Sequence, residues 1–249
     1  MLLLDMSKST SKKRKRSLNH ADFAILIPYR DRWESLIRLI PHLEWFLGDA
    51  SYDVYVLEQS GQALFNKGKI LNAGFSLLET KYKYFVFHDV DLIPLIADYS
   101  FPKTPVHLSR FSSQFGYKIL IPKCLYGVTL FSAKDFRQIN GFSNLYQGWG
   151  VEDEDLYFRC KTNRLKIENR PGRFLSLPHP HLPSVIKTRR KNFVRFQRFG
   201  KTFYNVEGLN TNEFELAASK KIKNLSLVLP GFKHQMILRK PVHWFCFKI

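Results

Sequence analysis

The chain has 249 residues, of which 45% are hydrophobic and 15% aromatic, a composition that supports a sizeable core and argues against general disorder. Its 39 Lys and Arg outnumber 21 Asp and Glu, and the resulting formal net charge of +18 would suit a groove for nucleic acid or another polyanion. The three cysteines, Cys124, Cys160 and Cys246, show no CxxC spacing, which argues against a disulfide framework or a cysteine zinc site and favours a reducing compartment.

The first 20 residues are strongly basic, with six Lys or Arg between positions 8 and 16. They predict a disordered, solvated arm, with docking to anionic lipid or another polyanion as the alternative. The apolar run Leu2–Leu4 is far shorter than the roughly 20 residues of a membrane span, and the segment lacks the pattern of a signal peptide. We therefore expect a cytoplasmic or peripheral-membrane location and one folded domain over residues 21–249.

Strand and helix patterns alternate along the first part of the folded region. A continuous apolar run stops at Pro28, and apolar residues at helical spacing follow it, with a kink expected at Pro41. The predicted elements are a strand over Phe23–Ile27, a helix over Trp33–Leu47, a strand over residues 52–59, a helix over residues 66–79 and, within residues 83–94, a strand that runs into a loop. This βαβαβ order predicts an α/β fold with a mostly parallel central sheet covered by helices.

Three further elements are predicted beyond that core. Ser132 is placed to cap a short helix that ends at Gly141. A helix through Leu156 and Cys160 follows a cluster of acids, and a strand is expected near Leu165–Ile167. In parallel sheets ligands bind beyond the carboxyl ends of the strands, so the segments "PYRDR" and "HDVDLIP" are candidate binding loops.

A divalent metal site is one interpretation of two short motifs. Asp89 and Asp91 are two residues apart, so both carboxylates point to one side of an extended segment, where they repel unless a cation is present. His179 and His181 in "HPH" offer two imidazoles on one side of the chain. One carboxylate with two imidazoles suits an ion such as Mn²⁺. The alternatives are a loop-capping acid pair and two surface histidines.

Basic and aromatic residues follow the first strand and begin the second helix. Arg30 and Arg32 lie in "PYRDR", and Lys67 and Lys69 follow Phe65 in "FNKGK". Cationic groups beside a divalent ion suit a diphosphate, and an aromatic face suits a flat base. The alternative is a solvated run of charges.

The stretch "YQGWGVEDED" places four acids behind a Gly-Trp-Gly turn. Gly148 and Gly150 allow the backbone to approach a ligand closely, and Trp149 offers an apolar plate of the kind that stacks on sugars. The acids Glu152–Asp155 would begin a helix, whose dipole favours negative charge, and this capping role is the alternative to a functional one. A carboxylate behind an aromatic plate suits general-base activation of a sugar hydroxyl.

Taken in order, these motifs resemble the β-1,4-galactosyltransferase family (glycosyltransferase family seven). The matching segments are "IPYRDR", "FNKGKILNAGF", "HDVDLIPL", "NGFSNLYQGWGVEDED", "HPH" and "GLNT", and they look most like the xylosylprotein branch, which uses paired histidines. The resemblance implies that residues 21–249 are a catalytic domain with the nucleotide-diphosphosugar transferase (GT-A type) fold. It also implies an inverting, Mn²⁺-dependent transfer of a sugar, expected to be galactose, from a UDP-sugar to a glycan hydroxyl, forming a β-linkage.

The resemblance assigns roles residue by residue. Mn²⁺ would be held by Asp91, His179 and His181, and Asp153 would be the general base. The donor would be bound by Pro28, Tyr29, Arg30, Arg32, Phe65, Lys67, Asp89, Trp149 and Glu152, with Lys67 in the place of the family's Arg. The acceptor, a glycan or glycoconjugate, would meet Trp149, Asp153 and Glu154.

A basic segment over residues 182–201 corresponds to the part of the family that closes over the donor. Its phenylalanines Phe193, Phe196 and Phe199 recur at near-helical spacing and are expected to pack beneath it. The alternative is an amphipathic basic surface helix.

Departures from the family pattern concern the donor sugar and the acceptor. Gln147 replaces a Trp, Tyr126-Gly127 replaces a Gly pair, and "KILIPK" is aliphatic where the xylose-using branch has aromatic residues. Cys124 replaces a Tyr that in the family helps to distinguish galactose from its N-acetylated relative. The alternatives are therefore an N-acetylgalactosaminyl transferase of surface polysaccharide synthesis, an inactive relative that binds glycans or partners, and a basic nucleic-acid-binding protein, although no nucleic acid is expected as partner.

Overall fold

The computed structural model describes residues 21–178, 183–200, 204–223, 226–228 and 235–249. The basic arm at residues 1–20 and the pair His179 and His181 lie outside the described residues, so the predictions made for them stay predictions. Within the described ranges, no helix is both long and apolar enough to cross a membrane.

The chain forms twelve strands and five α-helices over these ranges. The strands are β1 (Phe23–Tyr29), β2 (Tyr52–Gln59), β3 (Tyr84–His88), β4 (Leu92–Ala97), β5 (Val106–His107), β6 (Phe111–Ser112), β7 (Val128–Ser132), β8 (Gly172–Ser176), β9 (Glu215–Ile222), β10 (Ser226–Val228), β11 (Gln235–Ile237) and β12 (Val242–Lys248). The helices are α1 (Trp33–Leu47), α2 (Lys67–Leu78), α3 (Ala133–Gln138), α4 (Glu152–Thr162) and α5 (Pro183–Phe199).

A seven-stranded sheet with the order β5-β7-β3-β1-β2-β12-β9 organises the fold. Its centre is parallel, because β3, β1, β2 and β12 all run in one direction, while β7 and β9 pair antiparallel at the two sides. A second sheet has the order β4-β8-β6, and β10 pairs with β11. The predicted α/β fold, with a largely parallel sheet, is confirmed.

Alternation along the strands divides the core into two layers. In β1, Phe23, Ile25 and Ile27 face one layer and Ala24 and Leu26 face the other. The first layer also receives the apolar side chains of α1 and part of the small sheet. The second receives the buried faces of α2, α3 and α4. Both faces of the sheet are therefore covered, as expected for parallel strands.

Most of the predicted elements are confirmed, with shifted ends. β1 runs two residues further than predicted and includes Pro28, which lies beyond its last pair with β3, Leu26 with Phe87. The missing N–H is tolerated there because the strand is already close to its end. α1 continues through Pro41. The Ser132 hydroxyl accepts a hydrogen bond from the Asp135 N–H at 3.0 Å and caps α3 as predicted.

The strand predicted near Leu165–Ile167 is wrong. Leu165 and Ile167 are partly buried against the second core layer, but only Glu168 forms an isolated bridge, with Val106. Leu165 and Ile167 are therefore apolar because they pack against the core, and not because they belong to a paired strand. The next strand is β8, and the pairing of β4 with β8 and the insertion of β12 beside β2 were not predicted.

Candidate active site

The predicted binding loops meet at one edge of the main sheet. β1 and β3 run parallel, so the segment after Tyr29 and the segment after His88 leave the sheet at the same edge. The first carries Arg30 and Arg32, and the second carries Asp89 and Asp91. This edge is where ligands bind in open α/β sheets.

Lys67 joins two of the predicted acids. It is the first residue of α2, whose N-terminus is capped by the Asn66 side chain. Its Nζ lies 2.9 Å from Asp89 Oδ1 and 3.0 Å from Asp153 Oδ1, and the three side chains are 13%, 28% and 14% exposed. Burial alone would lower the pKa of Lys67, but Asp153, Asp89 and Glu152 raise it well above its ordinary value. Lys67 is therefore held as a cation.

Asp153 and Glu152 begin α4 and face this lysine. Burial raises the pKa of Asp153 well above its usual range; Lys67 opposes the shift, while Glu152 and Asp89 add to it. Burial likewise raises the pKa of Glu152. The backbone carbonyl of Asp153 accepts a hydrogen bond from the Leu125 N–H at 3.0 Å. The carboxylate of Asp153 is thus a fixed group that takes up a proton more readily than an ordinary aspartate.

The turn before α4 holds a β-branched residue in a strained conformation. Val151 has φ 84°, in the left-handed region, and its carbonyl accepts the Asp155 N–H at 2.8 Å. Such a backbone is unfavourable for valine and persists only where the surroundings enforce it. It sets the entry angle of α4, and with it the direction of the acids in the first turn.

The last acid of the cluster is structural. Asp155 is 1% exposed and its Oδ2 lies 2.6 Å from Arg159 Nε, while the Tyr146 hydroxyl donates to its Oδ1 at 3.2 Å. Arg159 also forms an ion pair with Glu207. This buried network ties α4 to the segment after residue 204, and nothing local in the sequence indicated it.

α2 is fastened to the loop that precedes the turn. The Asn72 amide donates to the Phe142 carbonyl at 2.8 Å, and the Phe142 N–H returns a bond to Asn72 Oδ1 at 2.9 Å. A Cβ on Gly68 would collide with the carbonyl oxygen of Ser143, so the first turn of α2 lies directly on this loop. These contacts bring Lys67 and the acid cluster together, and sequence reasoning missed them.

The Gly-Trp-Gly turn packs between Phe65 and α5. The Gly148 N–H donates to the Phe65 carbonyl at 2.7 Å. On the other side, the Asn192 amide of α5 donates to the carbonyls of Gln147 and Gly150, each at 3.0 Å. Gly148 and Gly150 have φ 77° and 92°, and a Cβ on Gly148 would lie 2.8 Å from Thr188 on α5. Glycine is therefore required by both backbone conformation and close packing.

Trp149 and Glu154 both contact α5 through Arg189. The Arg189 guanidinium lies 5.1 Å from the centre of the Trp149 ring and 3.6 Å from Glu154 Oε1. Trp149 is nevertheless 42% exposed, which leaves part of its ring accessible to a ligand. The structure thus places Trp149, Glu154 and the predicted closing segment side by side.

The predicted packing of the α5 phenylalanines is only partly right. The Phe196 ring lies 5.5 Å from the Phe158 ring of α4, and Phe199 is partly buried. Phe193, by contrast, is 51% exposed. The helix turns 100° per residue, so Phe193 falls on the outward face while Asn192 points to the turn.

The residues after β1 line the same edge. The Arg30 guanidinium donates to the Ala63 carbonyl at 2.6 Å and lies 5.3 Å from the centre of the Phe65 ring. The Arg32 carbonyl accepts the first N–H bonds of α1. Pro28 is buried, and burial raises the pKa of Tyr29, whose ring meets Trp244 of β12 edge-on at 5.1 Å.

Of the three predicted metal ligands, Asp91 is the one that lies within the described residues, so its surroundings are what the structure shows of this site. β4 and β8 pair up to Leu92 with Ser176, and the Leu177 N–H then donates to the Asp91 carbonyl at 2.7 Å. This pairing delivers the chain alongside Asp91 two residues before His179, which itself lies outside the described residues. A carboxylate with two imidazoles is a donor set that fits Mn²⁺.

Two family models match ranges that contain most of these site segments. The family model described as "N-terminal region of glycosyl transferase group 7" matches residues 5–101, and that described as "N-terminal domain of galactosyltransferase" matches residues 106–180. Mouse β-1,4-galactosyltransferase 4 is 42% identical over 150 residues, which are 58% of this chain and 44% of that protein. Human β-1,4-galactosyltransferase 7 is 31% identical over 205 residues, 78% of this chain and 62% of that protein.

A solved structure supports the fold. The catalytic domain of Drosophila β-1,4-galactosyltransferase 7 in complex with xylobiose superposes with a TM-score of 0.71 at 24% identity, over 91% of this chain and 93% of that one. The chain spans about half the length of the curated relatives it matches. The predicted resemblance, including that to the xylose-using branch, is confirmed.

Proposed function

Because the chain belongs to the β-1,4-galactosyltransferase family, we propose that it is a manganese-dependent enzyme that transfers galactose from UDP-galactose to a glycan hydroxyl with inversion. The observation that carries this proposal is the contact of Lys67 with both Asp89 and Asp153. It joins a residue of the proposed donor site to the proposed base, although the two acids are 64 residues apart in the sequence.

In this proposal Asp153 removes the proton of the acceptor hydroxyl. The acceptor oxygen bonds to the anomeric carbon from the face opposite the diphosphate, the bond to the diphosphate breaks, and the hydroxyl proton passes to the Asp153 carboxylate. A base works best when its pKa lies near the working pH, and burial moves the pKa of Asp153 in that direction. Glu154 and the exposed part of Trp149 would position the acceptor sugar beside it.

Positive charge at the sheet edge would hold the donor. Lys67 and Arg32 would face the diphosphate, while Arg30 and Phe65, already stacked, would hold the uridine. Pro28 and Tyr29 would form the wall of that site, with Asp89 and Glu152 contacting the donor. When bound by Asp91, His179 and His181, Mn²⁺ would neutralise negative charge on the departing UDP.

Release of UDP tests the proposal directly. UDP-galactose, UDP-N-acetylgalactosamine and UDP-glucose should be assayed over a panel of glycan acceptors, with Mn²⁺ or EDTA. We expect turnover with UDP-galactose that EDTA abolishes, and a fall of at least about 100-fold in Asp153→Asn, which keeps the shape but removes the base. Activity that survives either change would contradict the mechanism. Tight, salt-sensitive RNA or DNA binding without donor turnover would favour the nucleic-acid alternative.

Transfer of N-acetylgalactosamine is a second candidate, favoured by Cys124. Its small side chain is buried, and this burial, together with the nearby charges of Asp153 and Glu154, raises the pKa of its thiol. The family has a Tyr at this position, and a smaller side chain leaves more room beside the donor sugar. A higher kcat/KM for UDP-N-acetylgalactosamine than for UDP-galactose, reversed in Cys124→Tyr, would establish this alternative.

A further inference from the structure

A second concave site lies behind the wall of the acid cluster. It is a cavity of about 280 Å³ between the segment after β5, the loop before β7 and the end of α4. We call it the cationic pocket and define it by Arg110, Cys124, Leu125, Tyr157, Lys161 and Lys166. Its volume corresponds to roughly nine water molecules at about 30 Å³ each, enough for one charged sugar residue.

The charges of the cationic pocket are unbalanced. Arg110, Lys161 and Lys166 contribute three positive charges, and no Asp or Glu is among the described residues that line it. Within the described part of the chain, none of the three forms an ion pair. Cations gathered around one concavity repel one another unless an anion is bound.

The most buried cations of this protein have acidic partners. Lys67 contacts two aspartates, Arg159 contacts Asp155 and Glu207, and Arg170 contacts Glu168 at 3.0 Å. Lys161 and Lys166 are exposed and Arg110 is half-buried, and no carboxylate among the described residues occupies these cations. Three cations around one concavity form a site that suits an anionic ligand.

The pocket and the proposed base share a wall. The Leu125 N–H donates to the Asp153 carbonyl at 3.0 Å, and the adjacent Cys124 is buried between the pocket and the acids. Asp153, Tyr157 and Lys161 follow one another at four-residue spacing along α4, so they lie on one side of the helix. At 1.5 Å per residue, Tyr157 is about 6 Å and Lys161 about 12 Å along the helix from Asp153.

This position indicates which reactant would supply the anion. The donor diphosphate is proposed to lie at the sheet edge, with Lys67 and Arg32, on the other side of Asp153. An anion in the cationic pocket would lie along α4 from Asp153, on the side away from the proposed donor diphosphate, and such an anion belongs to the acceptor. We propose that the cationic pocket binds an anionic substituent (carboxylate, sulfate or phosphate) on the acceptor glycan, next to the sugar that receives galactose. This inference rests on the proposed function.

Two double variants separate this site from general electrostatics. Lys161→Gln/Lys166→Gln removes two charges from the pocket. Lys220→Gln/Lys221→Gln removes two exposed charges from β9, at the opposite side of the main sheet, and is the matched control. Because all four lysines are exposed, both variants should fold, which thermal unfolding would verify.

Kinetics with paired acceptors give the first measurement. Neutral glycosides are compared with the same glycosides carrying a carboxylate, sulfate or phosphate on the neighbouring sugar. We expect the pocket variant to raise KM for the anionic acceptors about tenfold, a loss of about 1.4 kcal/mol, with kcat and the KM of neutral acceptors nearly unchanged. The control variant should behave as the original protein. The anionic acceptor whose KM rises most in the pocket variant identifies which substituent, carboxylate, sulfate or phosphate, the pocket binds.

Binding without turnover gives the second measurement. Glucuronate, inorganic sulfate and inorganic phosphate are titrated against the protein, with and without UDP and Mn²⁺, by calorimetry and NMR. Saturable binding that the pocket variant loses and the control keeps supports the site, even if no transfer occurs and the proposed function fails. Equal binding in both variants, no binding, or equal KM values for neutral and anionic acceptors alongside normal transfer would overturn the inference and leave the proposed function intact.

Discussion

Lys67 sets the electrostatics of the candidate site at the scale of single residues. Three carboxylates, those of Asp153, Asp89 and Glu152, act on its ammonium group in surroundings that exclude most water. Taking one charge out of such a cluster leaves the others uncompensated, which is far more costly than losing a surface ion pair. The same cation would also face the donor diphosphate in the proposed mechanism.

Replacing Lys67 by Met is expected to change the pH dependence in a defined direction. Without the cation, the pKa of Asp153 rises further, so the acidic limb of kcat/KM should move to higher pH by about one unit or more. A carboxyl group whose pKa is higher folded than unfolded destabilises the folded state as pH rises. The stability deficit should therefore be small below about pH 4 and reach about 3 kcal/mol at pH 7.

Two control variants test whether the effects of Lys67→Met come from the loss of its contacts with the acids. Lys67→Arg keeps the charge and should keep both the pH profile and most of the stability. Lys69→Met removes a charge two residues further along α2 and should change the midpoint of urea unfolding little. Equal effects of Lys67→Met and Lys69→Met on the pH profile would show that the contacts of Lys67 do not control Asp153.

Sequence patterns identified the chemistry of these residues but not their pairing. Asp89 was singled out as one of two carboxylates that suit a cation, Asp153 as one of the acids behind the Gly-Trp-Gly turn, and Lys67 as a cation that suits a diphosphate. Their contact depends on buried asparagine bonds between α2 and a distant loop, such as that of Asn72 with Phe142. Hydrophobic periodicity reports local structure and carries no information on such long-range contacts.

At the scale of elements, α5 and the Gly-Trp-Gly turn form one packed unit. Asn192 donates to two carbonyls of the turn, Arg189 covers Trp149, and Gly148 leaves room for Thr188. These contacts fix the position of the turn relative to the helix. The orientation of Trp149 depends on how closely α5 can approach it.

Gly148→Ala tests this packing, with Gly61→Ala as its matched control. Both glycines have positive φ, 77° and 82°, so alanine costs about 1–2 kcal/mol of backbone strain at either position. A Cβ at Gly61 meets nothing within 4 Å, whereas one at Gly148 would lie 2.8 Å from Thr188. We expect Gly148→Ala to cost about 1–3 kcal/mol more in chemical unfolding and to speed amide exchange in α5. If Gly148→Ala and Gly61→Ala lower the free energy of unfolding equally, α5 does not pack tightly against the turn.

The buried Arg159 network fixes α4 in the same way. Arg159 is 2% exposed and bonds to Asp155 and Glu207. Arg159→Met should leave these acids unpaired and lower the free energy of unfolding by about 3–5 kcal/mol. Arg137→Met removes an exposed ion pair with Glu79 and should cost at most about 1 kcal/mol. Urea titrations at pH 7 compare the two, and a small loss for Arg159→Met would mean that the network stabilises nothing.

Elements with strong local patterns were predictable, and those defined by distant partners were not. β1, α1, β2, α2 and β3 follow from apolar runs and helical spacing. The pattern near Leu165–Ile167 was misinterpreted because packing against a core and pairing in a ladder both call for apolar side chains. The small sheet of β4, β8 and β6 joins segments that are far apart in the sequence.

At the scale of the whole molecule, the main sheet depends on a strand from late in the chain. β12 lies between β2 and β9, with Phe245 opposite Leu57 on one side and Ser219 on the other. β9 carries a bulge at Ala217. The neighbouring residues Ala218 and Leu216 pair with the consecutive residues Cys246 and Phe247, so Ala217 has no partner in β12. β12 is thus an interior strand, whereas β9 is one of the two edge strands of the main sheet among the described strands, the other being β5.

Proline should distinguish these two strands. Phe245→Pro removes a ladder donor between two neighbours and is expected to cost about 3 kcal/mol or more, with loss of a single cooperative unfolding transition. Ala217→Pro falls at a bulge of an edge strand, where proline is tolerated, and should cost about 1 kcal/mol or less. Circular dichroism during urea unfolding measures both. If Phe245→Pro unfolds as one transition with unchanged midpoint, β12 is not part of the cooperative core.

The interior place of β12 has a consequence for biosynthesis. Translation delivers β1, β2 and β3 long before residues 242–248 leave the ribosome. Until then the nascent chain exposes the backbone hydrogen-bonding groups of β2 that later pair with β12. An open, apolar strand edge is a template for association with other chains. Yield in a cell should therefore depend on chaperone capacity and growth temperature more than on the final stability of the folded protein, since the vulnerable species exists only while the polypeptide is incomplete.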